Sequence, residues 1–113
     1  MDFPPQLQSL HSYICFETIY LPSLIANELA SSTTHPRYGD LLEKFGQFNA
    51  ALGEFPSSTK GIPAKVVKEA AERLRDSAGS LSDIAREINP QSPLAIYLLR
   101  FHLQLNLLVL GLI

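Results

Sequence analysis

His11 and Cys15 stand four residues apart, so on a helix both side chains leave the same face. An imidazole beside a thiol opens two kinds of chemistry. One is zinc binding, where a structural site takes four such ligands. The other is a cysteine nucleophile whose proton a histidine removes. The zinc set stops short, because His35 and His102 are the only other histidines and Cys15 is the only cysteine. A reactive thiol needs an accessible, electropositive setting, whereas Ile14, Phe16 and Ile19 surround Cys15 in sequence. The expectation is a buried cysteine acting as a small hydrophobe beside a partly buried histidine. Gly46, Gly53, Gly61 and Gly79 are too scattered to form a phosphate-cradling loop. Glu17, Glu28, Asp40, Glu43 and Glu54 could pair across helices, but spacing alone marks no such pair. No catalytic, cofactor-binding or metal-binding residue is assigned, and no enzymatic activity is expected.

The elements that position these residues follow from composition and periodicity. A chain of 113 residues has the length of one domain, taken as residues 1–113, and can bury a core without metals or disulfides. Hydrophobic residues make up 46%, which excludes compositional disorder. Charged residues are only 18%, below the roughly 25% of an average domain, which suggests that a partner covers some apolar surface. A net charge of −2 gives no bulk attraction to nucleic acid or to an anionic membrane. One cysteine rules out an intrachain disulfide scaffold, and Met1-Asp2-Phe3-Pro4-Pro5 has no basic stretch leading into an apolar run. A cytoplasmic location is the expectation.

Apolar residues at spacings of three, four and seven predict helix from about Gln6 to Ser31, carried by Leu7, Leu10, Ile14, Leu21, Leu24, Ile25 and Leu29. Pro22 must kink this helix or begin another, since it donates no backbone hydrogen bond and crowds the preceding turn. Ser31 to Pro36 reads as a loop. A second helical stretch starts near Asp40, which with Glu43 has capping-box spacing. Tyr38, Leu41, Leu42, Phe45, Phe48 and Leu52 line one face of it, and Phe55-Pro56 breaks it. A third runs from Pro63 to Gly79, with Gly79 as C-terminal cap. Its apolar stripe is Ile62, Val66, Val67, Ala70, Ala71 and Leu74; its other face carries the pairs Lys65–Glu69, Lys68–Glu72 and Glu69–Arg73. Ser80 and Asp83 then cap a short helix ending at Ile88. The predicted fold is all-α: four or five helices in a small bundle packed around an apolar C-terminal helix.

That C-terminal segment is the informative one. On a helical wheel, Leu94, Leu98, Phe101, Leu105, Leu108 and Leu112 form one stripe with alternating spacings of four and three, the pattern of a packing seam. Ile96, Leu99, Leu103, Leu107 and Leu110 form a second stripe on the opposite side, with Arg100, Gln104, His102 and Asn106 along the borders. A helix apolar on two sides must be covered on both. Either it lies at the centre of the domain, or its second side meets another chain. The strict alternation from Leu99 to Leu107 also fits a strand, but leucine-rich sequence with little Val, Ile or Thr argues for helix. About 20 residues can span a bilayer. Thirteen Leu, Ile, Val and Phe residues would gain roughly 4–8 kcal/mol there, while Arg100 alone costs about 2.5–3.5 kcal/mol. His102, Gln104 and Asn106 add to that cost, so no membrane span is expected.

Leu81 to Ile88, a short break and a long helix together resemble the opening of a helix-turn-helix, and the closing Gly111-Leu112-Ile113 is similar to the end of such a helix. The resemblance covers residues 80–113 and implies a DNA-binding regulator. The sequence departs from it where bases would be read: Pro93-Leu94-Ala95-Ile96-Tyr97 brings no base-reading side chain before Arg100, and no Lys or Arg cluster meets the phosphates. A small helical enzyme or ligand-binding bundle is the other competing class. The expected role is a non-catalytic protein–protein interaction module, an adaptor, regulator or subunit that forms a homo-oligomer through Ile96, Leu99, Leu103, Leu107 and Leu110. Neither nucleic acid nor membrane is expected as partner. If the first stripe is core, Leu105→Ala loses about 2–5 kcal/mol of stability in denaturant titrations; an unchanged midpoint places that stripe at the surface instead.

Overall fold

The computed structural model describes residues 5–58 and 60–111. Five helices follow one another: α1 (Pro5–Glu17), α2 (Leu21–Ser31), α3 (Tyr38–Glu54), α4 (Ala64–Ile88) and α5 (Pro93–Leu110). Among the described residues there is no strand. The stretch from Leu99 to Leu107 is helical throughout. Leu112 and Ile113, assigned to the first stripe and to the helix-turn-helix resemblance, lie outside the described residues.

The chain restarts at Pro22. It occupies the second position of α2, where no intrahelical donor is required, and Thr18 to Tyr20 separate α2 from α1. At α3 the expected capping box does not form. Arg37 precedes the helix, which has no side-chain cap, and Asp40 falls within its first turn. There the carboxylate favours the helix dipole and takes the Arg37 guanidinium at 2.6 Å.

The largest departure from the sequence reading is α4. It runs unbroken for 25 residues, so Gly79 is interior rather than a cap, and Ser80 to Ile88 is its last third. The reason is tertiary. A methyl group at Gly79 would lie 2.8 Å from Cε1 and 3.0 Å from Nδ1 of His102. The imidazole fills the space that a side chain would take. Its Nδ1–H donates to the Arg75 carbonyl, one turn before Gly79, at 3.0 Å. Gly79 weakens the isolated helix by about 1 kcal/mol relative to Ala, and the packing of α5 overrides that preference.

Helices α4 and α5 form an antiparallel hairpin turned by Asn89 to Ser92. Ser92 caps α5, its Oγ accepting from the Ala95 N–H at 3.0 Å, and Pro93 takes the first helical position. Val67, Ala71, Leu74, Ala78, Leu81 and Ala85 of α4 are buried at spacings of four and three. They meet the matching period of Leu94, Leu98, Phe101 and Leu105 on α5. Helix α3 lies antiparallel on another side of α4. Arg37 reaches Glu87 at one end, and Arg73 reaches Glu54 at 3.2 Å at the other. Helices α1 and α2 pack against α5, contributing Leu7, Leu10, Ile14, Leu21 and Ile25 to the core. Val66 and Leu42, read as core-facing, are exposed because each sits one position round from its helix's buried seam.

The Gly79–His102 contact makes Gly79→Ala destabilising, although alanine is the better helix former. In a His102→Ala background the same change raises stability by about 1 kcal/mol. Melting curves of the four proteins in this cycle test the reversal; a Gly79→Ala effect of the same sign in both backgrounds removes the imidazole as its cause.

Candidate functional site

The His11–Cys15 pair is present but differs from the expectation. Cys15 is exposed, not buried. Leu7, Leu10 and Ile14 are the residues that α1 buries, and Cys15 lies a further step round the helix. The thiol is 3.7 Å from Nε2 and 3.9 Å from Nδ1 of His11. Nε2–H is committed to the Pro56 carbonyl at 2.8 Å, and the ring meets Phe55 edge-on at 5.4 Å. Desolvation by the surrounding protein pushes the thiol up from its ordinary pKa, the opposite of what a nucleophile needs. His11 thus acts as a tie between α1 and the segment after α3. His35 and His102 are elsewhere, bonded to the Arg37 N–H and the Arg75 carbonyl. Among the described residues no three His, Cys, Asp or Glu side chains gather as a metal site.

The carboxylates are dispersed to separate partners. Glu17 lies 3.2 Å from the Tyr97 hydroxyl, Asp40 holds Arg37, Glu54 holds Arg73, and Glu43 is exposed. On the charged face of α4, Lys65–Glu69 forms at 3.9 Å. Arg73 turns instead to Glu54 on α3, so part of that face clips two helices together. In the region resembling a helix-turn-helix, Ser92, Leu94, Ala95 and Leu98 are buried against the bundle.

The surface that remains is α5 itself. Leu94, Leu98, Phe101 and Leu105 are buried and Leu108 is half-buried. Ala95 and Val109, assigned to neither stripe, are buried as well. On the opposite side Ile96 is 50%, Leu103 53%, Leu107 63% and Leu110 51% exposed. Leu99 alone of that stripe is half-buried, beside Gly79 and His102. The five helices therefore leave the second side of α5 uncovered. This helix is also long and apolar enough to cross a membrane, with a mean hydropathy of 1.4. A further patch went unnoticed in the sequence: Phe16, Ile19 and Tyr20 are exposed where α1 gives way to α2. Phe16 lies on the outer side of α1, and the restart at Pro22 leaves Ile19 and Tyr20 in the connection.

No protein-family model, curated protein or solved structure matches the chain.

Glu28 is the one buried carboxylate among the described residues, 7% exposed, where α2 meets the start of α5. Desolvation raises its pKa, and a hydrogen bond from Ser92 partly opposes the rise. A carboxyl whose folded-state pKa lies above its unfolded value binds protons more tightly in the native state. Its contribution to stability is therefore present at acid pH and falls as pH rises through the carboxylate range. Glu28→Gln keeps an acceptor for Ser92 and removes the charge. The variant is expected to be more stable than the parent at neutral pH, with the gap closing in acid. Thermal melts across that range decide it; a variant less stable than the parent at neutral pH contradicts the assignment.

Proposed function

We propose that the protein is a non-catalytic interaction module that self-associates through the uncovered side of α5. The observation that supports this reading is the half-exposure or more of Ile96, Leu103, Leu107 and Leu110 on a helix whose other side is core. Four large apolar side chains along about 21 Å of one helix, at 1.5 Å per residue, form a contiguous patch of the kind that marks interaction sites. The patch suits a second copy of the same chain. Arg100 is the only full charge in α5, so two such helices approach without like-charge crowding. A two-fold axis near Leu103 sets Ile96 of one copy towards Leu110 of the other and keeps the pattern in register, as an isologous contact requires.

A bilayer would demand more. To span one, α5 would have to leave α4 and carry Arg100, His102, Gln104 and Asn106 into hydrocarbon. Pairing with a second copy leaves the core of each chain intact.

Sedimentation equilibrium tests the reading. The unaltered chain is expected to dimerise, with little change on adding salt, because the contact is apolar. Leu103→Glu and Leu107→Glu should each give a folded monomer, whereas Leu98→Glu on the buried side should unfold the chain. An unaltered protein that stays monomeric at high micromolar concentration overturns self-association.

A further inference from the structure

Helices α1 and α5 enclose a cleft of about 330 Å³ lined by Tyr13, Glu17, Tyr97, Arg100, Phe101 and Gln104. It lies beside the uncovered stripe of α5, with Arg100 and Gln104 next to Leu99 and Leu103. Its floor is aromatic. The Tyr13 and Tyr97 rings lie almost parallel to the buried Phe101 ring, with centroids 5.8 Å and 6.3 Å away. The Tyr97 hydroxyl donates to the Glu17 main-chain carbonyl and stands 3.2 Å from the Glu17 carboxylate, which secures Glu17 at the α1 edge. Arg100 and Gln104, one turn apart on α5, form the other edge.

The two charges at these edges are opposite and unpaired. Among the described residues Arg100 forms no ion pair, with Glu17 or with any other carboxylate. Both charges nevertheless bear on the same phenol: burial chiefly raises the pKa of Tyr13, Glu17 adds to the rise and Arg100 opposes it. The cleft thus holds an anionic edge, a cationic edge and a π surface between them. An anionic ligand alone would meet Glu17, and a cationic one alone would meet Arg100. A molecule bearing both charges satisfies both edges. Its ammonium takes Glu17 and the faces of the tyrosines; its carboxylate takes the Arg100 fork and the Gln104 amide. The volume is at the small end of ligand sites, which suits a molecule of few heavy atoms.

We infer that the α1–α5 cleft binds a small zwitterion of the free amino-acid class, with its ammonium at Glu17 and its carboxylate at Arg100. Amide chemical-shift mapping of the ¹⁵N-labelled full chain tests this, with each free L-amino acid as probe. Phenylalanine is compared with phenethylamine, which lacks the carboxylate, and 3-phenylpropionate, which lacks the ammonium. Saturable shifts are expected around Tyr13 to Glu17 and Tyr97 to Gln104, with phenylalanine binding at least about tenfold more tightly than either single-charge analogue, a difference of about 1.4 kcal/mol. Arg100→Met should erase the advantage over phenethylamine, and Glu17→Gln the advantage over 3-phenylpropionate. The Arg100 variant changes an exposed side chain and keeps its alkyl stem, so it remains a valid probe even if the Glu17 variant is unstable. Absence of localised shifts with every amino acid overturns the assignment, as does a charge preference that survives Arg100→Met.

Discussion

The His102 ring lying on Gly79 is the contact on which the rest of the arrangement turns. A side chain at position 79 would have to displace the imidazole, which fills the space beside the glycine at the half-exposed edge of the α4–α5 seam. The hydrogen bond from Nδ1 to the Arg75 carbonyl makes the contact directional as well as steric. Together with the buried seam, it fixes the axial register of α5 against α4 and the rotation of α5 about its own axis. Once that rotation is set, Leu98, Phe101 and Leu105 face inward, and Leu103 and Leu107 face out.

The remaining helices accept the frame that the hairpin provides. Alanines at 71, 78 and 85 keep the α4 surface low enough for the leucines of α5 to settle against it. The α3 helix is located by apolar contact through Leu41, Phe48 and Ala51 and by an ion pair towards each end. Those pairs are exposed and screened by solvent, so they select orientation more than they add stability. The His11 bond to Pro56 ties the start of the chain to the α3–α4 connection.

The sequence disclosed the parts of this structure that local physics determines. The all-helical class, the restart at Pro22, the loop after Ser31, the break at Phe55-Pro56 and the inward stripe of α5 all follow from periodicity and proline chemistry. What it concealed depends on contacts distant in the chain. Gly79 reads as a cap because glycine disfavours helix locally; only His102, 23 positions on, explains its place in the middle of one. Cys15 has apolar neighbours in sequence yet points to solvent, because burial depends on angle round the helix rather than on the company a residue keeps. The two stripes of α5 were legible as stripes, but the leucines in both look alike. Which side the chain covers is decided by where α1, α2 and α4 lie. The α1–α5 cleft had no sequence signature, since Tyr13 and Glu17 are some 80 positions from Tyr97.

The energetics of the exposed stripe bear on how it would be used. Fully burying a large aliphatic side chain is worth about 1.5–3 kcal/mol relative to leaving it exposed. Ile96, Leu103, Leu107 and Leu110 are already about half covered by their own helix. Four such residues from each of two copies would therefore yield about 6–12 kcal/mol, on that transfer scale. Association itself costs on the order of 4–15 kcal/mol in lost motion. The two ranges overlap, so the proposed pairing through the stripe alone would be reversible and not permanent. A tight dimer would need additional area, and Phe16, Ile19 and Tyr20 at the α1–α2 junction are the other large apolar groups that the fold leaves clustered in the open. A pairing of this strength, if the proposed contact forms, would respond to concentration, while each copy would keep its own buried core.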